Sequence, residues 1–594
     1  MDNSNDNNTS APNRKRKRGK SVLRNARKYL KKGVCGRGRQ LETDTYQYLV
    51  RILEVYKEGF PSDEEKSIFV NNVFQESEDN EVLYSSNQLG SRVIQMLLPH
   101  ANDEALERCI KAFLSDLRPI CSDRFASHVL QTLFELLCKK TFQPDIDEDF
   151  KNRCVDYTLQ VSRFLLNNLE DFASDTYGCH IIRTVFKSLA NLPSDKEKNV
   201  TVEENNVIEI PEKYVQIMKE YAQRLIIWPQ FVNLPYSELT SGLLQVLLKA
   251  LQKIDKKQLD AYIKKLINES FGGVTEDDDT NKNQENKLPD VFMSKPALML
   301  LEVVLEVASP KRYTQIYANY FLNNLVNLAV TRNTNFCVQK LVQHCKEKTE
   351  FEAIFDELDD HFKEILGAEH TGVILSLGQA CKRLTAKQGS FVQNLMKSFN
   401  CYEPEEHQNS IVMCACRFVY YEELSQQTAV DLQKGKLNLH GTLIIQLMLE
   451  FNKPIKIVNS ILSIDTVELK NLFSNSMGSH IIDSYMKSQF VGEKSREKLI
   501  RKLQGTYQDL ASTKYGSRSF EAIWNAANLK NKMNIMTELS HKDAAWSNSE
   551  FGRIIASKIN LSMYKKSVER WKDSLNAVSK KKALFSDILG ENVK

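Results

Sequence analysis

Glycine and proline are scarce, with 22 and 14 in 594 residues. A large β-sandwich needs a turn signal every ~8–12 residues, so that class is excluded. No apolar run reaches the roughly 18 residues of a membrane span, and no signal-peptide apolar core opens the chain. Neither a spanning segment nor a secretory leader is therefore expected. Twelve cysteines are too sparse and irregular for a disulfide framework. Cys109, Cys138 and Cys337 lie inside apolar runs, where cysteine acts as a small hydrophobe. A reducing compartment, cytosol or nucleus, is expected.

Acid is missing from one stretch altogether. Residues 14–39, RKRKRGKSVLRNARKYLKKGVCGRGR, hold 13 Lys and Arg and no Asp or Glu. Set against Asp2 and Asp6, they give residues 1–40 a charge of +11. That leaves −7 for the other 554 residues of a +4 chain. The basic charge is thus an arm on a mildly acidic body, expected to be disordered. Such an arm serves as a nuclear or nucleolar address, a non-specific nucleic-acid contact, or both, with a merely solvated terminus as the alternative.

What is present in quantity is a repeat. NQLGSRVIQMLL (87–98) and DRFASHVLQTLF (123–134) share one layout: a small residue, serine, a basic side chain, two aliphatics and glutamine. With the small residue as anchor, clear copies fall at Gly90, Ala126, Gly178, Thr334, Gly441, Gly478 and Gly516. Weaker ones fall at Gly242, Ala297, Gly372 and Gly552. Uninterrupted neighbours are 36 to 38 residues apart. Segments between anchors, such as ERCIKAFLSDLRPICS, carry apolar residues near a 3.6 period, and no alternating strand pattern competes. The expected fold is all-α: an α-solenoid of about eleven helical repeats, stacked into a curved superhelix because no single unit buries its apolar face alone. The solenoid is placed at 41–565 and a C-terminal cap and basic tail at 566–594. Polar inserts at about 193–206 and 275–289 are expected as mobile loops.

Within each copy the first, second and fifth residues after the anchor are polar or bulky, while the third, fourth, seventh and eighth are apolar. On a helix the first set shares one face. Ser91, Arg92 and Gln95 should therefore project from one surface while Val93, Ile94, Leu97 and Leu98 hold the core. A short hydrogen-bonding residue with Gln, Arg or Glu can hold a base edge, and a planar or long side chain between them can stack on base faces. Readers of single-stranded RNA need that chemistry.

At these residues the chain resembles the Pumilio repeat over about 75–560. With its basic arm and interrupted array it is most similar to the nucleolar protein 9 family of Pumilio-like proteins. The resemblance implies a nuclear, nucleolar protein binding single-stranded precursor ribosomal RNA and acting in small-subunit (18S) rRNA maturation. It implies pre-ribosomal particle proteins as partners, a monomer, and no cofactor. By the family's pairing rules, Asn335 and Gln339 with Phe336 match a uracil reader. Ser91 with Gln95 and Ser127 with Gln131 resemble adenine readers, stacked by Arg92 and His128. Ser517 and Glu521 with Arg518 match a guanine reader. Cys179, His180 and Arg183 form a further trio, as do Ser479, His480 and Asp483, and Thr442, Leu443 and Gln446. Leu243 and Leu244, Leu298 and Met299, and Val373, Ile374 and Leu377 cannot hydrogen-bond base edges, so the middle of the array is expected not to read a continuous sequence.

Two other classes compete. TPR, HEAT and armadillo arrays are helical solenoids that mostly bind proteins, so a protein-interaction scaffold in ribosome assembly stays open. So does a Pumilio-type messenger RNA regulator. Enzymatic readings fail. Ser127–His128 and Ser479–His480–Asp483 occupy a repeated slot rather than forming a triad. Cys414, Cys416, Cys337, His344 and Cys345 lack the paired spacing of a zinc site, and neither catalysis nor a metal is expected. Gly33, Gly36 and Gly38 resemble Arg/Gly RNA-contacting tails. Trp571 and Lys580–Lys582 are read as either a cap with phosphate contact or a solvated tail.

Overall fold

A computed structural model describes residues 18–193, 209–272, 288–426, 436–541 and 543–576. The two polar inserts fall almost wholly outside these residues, as do residues 1–17 and Lys580–Lys582. Helices make up the described chain. Among described residues the only β-type pairing is one isolated antiparallel bridge, Gly38 with Asn87. The molecule is an all-α solenoid of helical repeats.

Each repeat centres on one anchor helix preceded by a short helix. In the first compact unit, residues Met1–Arg312, the anchor helices are Gln88–Leu97, Ala126–Thr141, Thr176–Leu189, Glu238–Ile254 and Lys295–Val307. Each packs on the next. The second unit, Tyr313–Lys594, stacks six in the same way: Asn335–His344, Thr371–Arg383, Leu439–Met448, Ser479–Lys487, Lys514–Ala526 and Glu550–Lys558. We number these repeats 1 to 5 and 6 to 11.

The local reason for this geometry is a cap and a close approach. Three residues before the anchor sits a side chain that accepts from backbone N–H groups of the first turn. Asn87 accepts from Leu89 and Gly90, Asp175 from Tyr177 and Gly178, and Ser549 from Gly552. Such caps stabilise a helix start by about 1 kcal/mol each. The anchor itself lies against the end of the preceding short helix. A Cβ on Gly90 would stand 2.2 Å from the Tyr84 carbonyl oxygen, and one on Gly478 would stand 2.1 Å from that of Leu472. Threonine solves the same contact by bonding. Thr334 Oγ1 donates to the Leu328 carbonyl at 2.7 Å, again six residues back.

The apolar positions of the anchor helices make the core: Val93, Ile94 and Leu97 in repeat 1, Ile181, Ile182 and Val185 in repeat 3, Ile481, Ile482 and Tyr485 in repeat 9. Each fully buried aliphatic side chain contributes about 1.5–3 kcal/mol. All twelve cysteines are free, buried thiols. After repeat 11 the chain folds back so that Trp571 is fully buried. Its indole Nε1 donates to the Ile559 carbonyl at 2.9 Å, and its ring meets Tyr564 edge-on.

The expectation of a disordered arm over residues 1–40 is corrected for its second half. Arg18–Leu30 is a helix packed on the helix Thr43–Glu58. Val22, Leu23, Ala26, Tyr29 and Leu30 interrupt the basic run at helical spacing, with Ala26 buried. Arg27 Nε donates to Glu54 at 2.8 Å. The charge density hid an amphipathic face.

Candidate nucleic-acid interface

In each clear repeat the three polar positions prove physically distinct. The second is exposed or half-exposed: Arg92, His128, His180 and Arg518 lie at the surface, Leu443 and His480 are partly covered, and the Phe336 ring is 55% exposed. The fifth is half-buried in Gln95, Gln131, Arg183, Gln339, Gln446, Asp483 and Glu521. The first is buried in all but one. Ser91, Ser127, Cys179, Asn335, Thr442 and Ser479 are covered, and Ser517 is partly so. The expectation that all three project into solvent is thus corrected at the first position. That position faces the seam with the following repeat. Cys179 Sγ donates to the Leu239 carbonyl there, which is why only short side chains occupy it.

Intrahelical bonds aim the fifth-position amides. Gln95 Nε2 donates to the Ser91 carbonyl at 3.0 Å, and Gln446 Nε2 to the Thr442 carbonyl at 3.0 Å. Gln339 Nε2 donates to Asn335 Oδ1 at 2.9 Å, while the Asn335 amide donates to the Thr331 and Arg332 carbonyls. One amide hydrogen of each Gln is spent in this way. In repeat 2, Ser127 Oγ and Gln131 Nε2 are buried without a hydrogen-bond partner among the described residues. Buried polar atoms are rarely left so. The pair that resembles an adenine reader is therefore the one with unspent bonding capacity.

Burial shapes the electrostatics. It pushes the Cys179 thiol up to about 11, so this position donates as S–H. Burial, then the Arg92 charge, holds His128 below the ordinary histidine value. Burial, then Arg183 and His128, does the same to His180. Both second-position imidazoles are therefore biased to the neutral form, which suits stacking. The Ser479, His480 and Asp483 set is no triad. Ser479 Oγ is turned to the Ser476 carbonyl, His480 Nδ1 is 3.9 Å from Asp483, and Asp483 accepts instead from Arg518 Nε at 2.8 Å. No group of three or more His, Cys, Asp or Glu among the described residues is arranged to hold a metal.

The structure moves the anchors expected at Gly242 and Gly372. In repeat 4 the cap position falls at Ser237, and Thr240 Oγ1 donates to the Leu234 carbonyl at 2.7 Å, the six-residue relation of Thr334. The anchor is Thr240, not Gly242. Ser241 then takes the first position, donating to the Pro296 carbonyl across the seam at 2.7 Å. Gln245 takes the fifth, its Nε2 donating to Ser241 Oγ at 3.1 Å. Leu243 and Leu244 are core residues, as the third and fourth positions should be. The stretch TSGLLQ (240–245) carried the full layout, but the glycine drew the anchor two residues too far. In repeat 7 the buried set Val373, Ile374 and Leu377 fits an anchor at His370, and Thr371 Oγ1 meets His440 Nδ1 across the next seam at 2.6 Å. The second position of both repeats is therefore glycine. Repeat 5 keeps its register, with Leu298 buried and Met299 exposed.

A family model described as NOP9-like PUF repeat domain matches residues 79–554. The chain is similar to nucleolar protein 9 of Homo sapiens, 25% identical over 591 residues covering 92% of this chain and 91% of that protein. It is also similar to Pumilio homolog 23 of Arabidopsis thaliana, 23% identical over 580 residues covering 93% of this chain and 76% of that one. A solved structure described as APUM23-GGAGUUGACGG shares the fold, with a TM-score of 0.70 at 20% identity over 90% of this chain and 100% of that chain.

Proposed function

The chain belongs to the NOP9-like PUF repeat family, and on that premise we propose that it is a non-enzymatic RNA-binding protein of the nucleolus. It holds single-stranded precursor ribosomal RNA along its anchor helices and acts in small-subunit (18S) rRNA maturation, covering or shaping the segment until processing. The observation that carries this reading is the repeated division of labour within each trio. A short seam residue, an exposed second side chain and a fifth-position amide recur in repeats 1, 2 and 6, the amide held by its own helix in repeats 1 and 6. Stacking on a base face and bonding to its edge require unpaired bases. Ser127 Oγ and Gln131 Nε2 add buried bonding capacity at one of these places. The names of the relatives, nucleolar protein 9 and Pumilio homolog 23, supply the compartment.

Crosslinking the protein to RNA in cells and sequencing what is bound tests the target. Reads concentrated in precursor ribosomal RNA are expected. Reads in messenger 3′ ends would instead make the protein a messenger regulator, and no bound RNA would make it a protein scaffold. A filter-binding comparison should show the single strand bound more tightly than the same sequence in a duplex.

A further inference from the structure

The basic segment that precedes the array ends in Cys-Gly-Arg-Gly-Arg, residues 35–39. It is a built element rather than a loose tail. Asn87, the cap of the repeat 1 anchor helix, donates its side-chain amide to the carbonyls of Cys35 at 2.8 Å and Arg39 at 2.9 Å. Two backbone bonds complete the junction: Gln88 N–H donates to the Arg37 carbonyl at 2.9 Å, and Arg39 N–H to the Ser86 carbonyl at 3.1 Å. Gly38 has φ +87°, and a Cβ there would stand 2.3 Å from the Ser86 oxygen and 2.8 Å from the Phe125 ring. Phe125 immediately precedes the repeat 2 anchor. The segment therefore lies across the N-terminal ends of the first two anchor helices. Glycine at 38 is what allows it to fit so closely.

The first of those ends leads directly into the trio of repeat 1. Ser91 Oγ donates to the Gln88 carbonyl, and Gln88 N–H is the group held by Arg37. Arg37 and Arg39 are both exposed. Neither guanidinium has a carboxylate partner among the described residues, whereas Arg27 in the same segment is paired with Glu54. Arg37 stands over the Tyr29 ring, 6.0 Å from its centroid. Arg24 and Lys28 on the preceding helix, and Lys31 and Lys32 in the turn that follows it, are also exposed. The result is a backbone-anchored loop, bonded to the start of repeat 1, that carries two exposed guanidinium groups without carboxylate partners among the described residues.

We propose that this docked loop is a phosphate-binding site, in which Arg37 and Arg39 hold the backbone of the nucleotides that flank the base at repeat 1. It extends the RNA path past the end of the array and is sequence-independent, because phosphate contacts position a strand without reading it. A planar guanidinium can clamp a phosphate bidentately, and a protein loop that is already ordered loses little entropy when it binds. This rests on the RNA-binding reading above.

The test uses the full chain and RNAs that either end at the repeat 1 base or run three nucleotides beyond it, at one end or the other. Affinity is measured over a range of salt for the wild type and for Arg37→Gln with Arg39→Gln. One of the two extensions should tighten wild-type binding, and the double variant should lose that gain. For that RNA the slope of log affinity against log salt should fall by about 1.4, at ~0.7 per single-strand phosphate. Base preference and melting temperature should not move. Gly38→Ala should lose the same gain and also lower the melting temperature, because the loop can no longer seat. If both extensions bind the double variant as they bind the wild type, with the same slope, the site is refuted. A wild type that binds none of the RNAs would refute the broader reading instead.

Discussion

Repeats 9 and 10 meet differently from repeats 3 and 4. At the first junction the fifth-position Asp483 accepts from the second-position Arg518 of the next repeat. At the second, the next repeat has glycine at its second position, and the fifth-position Arg183 lies over it. A Cβ on Gly242 would be 3.0 Å from Arg183 Nη1. Repeats 6 and 7 repeat the second pattern, with Gln339 Oε1 2.6 Å from a Cβ on Gly372. The second and fifth positions of neighbouring repeats are thus not structurally independent. At these three junctions the fifth side chain lies against the second position of the following repeat. A glycine there leaves no side chain at the second position and gives the neighbour room.

The largest expected effect lies beneath this surface. Ile374 is fully buried, so Ile374→Ala should cost about 2–5 kcal/mol of stability in a thermal or denaturant melt. RNA affinity measured well below the melting temperature should hold, which would set the core of a glycine repeat apart from its face. Phe336→Ala should do the reverse. The exposed ring contributes little to the fold, but its loss should weaken RNA binding by about 1–3 kcal/mol, the worth of one stacked base. Gln339→Ala should weaken binding within a similar range of about 1–3 kcal/mol, by analogy with a lost bidentate base contact. Asn335→Ala is a poorer test. Its buried amide donates to two carbonyls, so the variant should also lose about 1 kcal/mol of stability.

Gly242→His sharpens the comparison in the opposite direction. It supplies the missing platform, and only the flexible tip of Arg183 must yield. Binding should tighten by about 1 kcal/mol, the low end for a stacked base. Unchanged titrations on every RNA tried would mean that no base lies at repeat 4. The smallest effect concerns pH. His128 and His180 are held below the ordinary histidine value of about 6.5 by burial and neighbouring cations. Their stability contribution is therefore present above that value and lost as pH falls through the depressed folded values. Replacing both with phenylalanine should flatten the acid side of the melting curve, and an unaltered pH profile would remove the histidines from the account.

The amino-acid pattern alone dictates the all-α repeat architecture, because a step of 36 to 38 residues and a 3.6 apolar period leave few other ways to bury the same side chains. It also determined the trios of repeats 1, 2, 3, 6, 8, 9 and 10, where a small anchor and a glutamine, arginine or acid stand five residues apart. Which position of each trio is hidden depends on how neighbouring repeats pack, because the first residue is buried by the next repeat, which local periodicity does not represent. The same holds for repeats 4 and 7. Gly242 and Gly372 look like anchors in the chain, yet the carbonyl that accepts from Thr240 and the seam contact of Thr371 set the true register. The Gly-Arg-Gly-Arg segment reads as a loose tail until Asn87, 48 residues beyond Arg39, is seen to bond its backbone. Short-range pattern records what a helix needs for itself. Contacts between helices decide what each side chain is free to do.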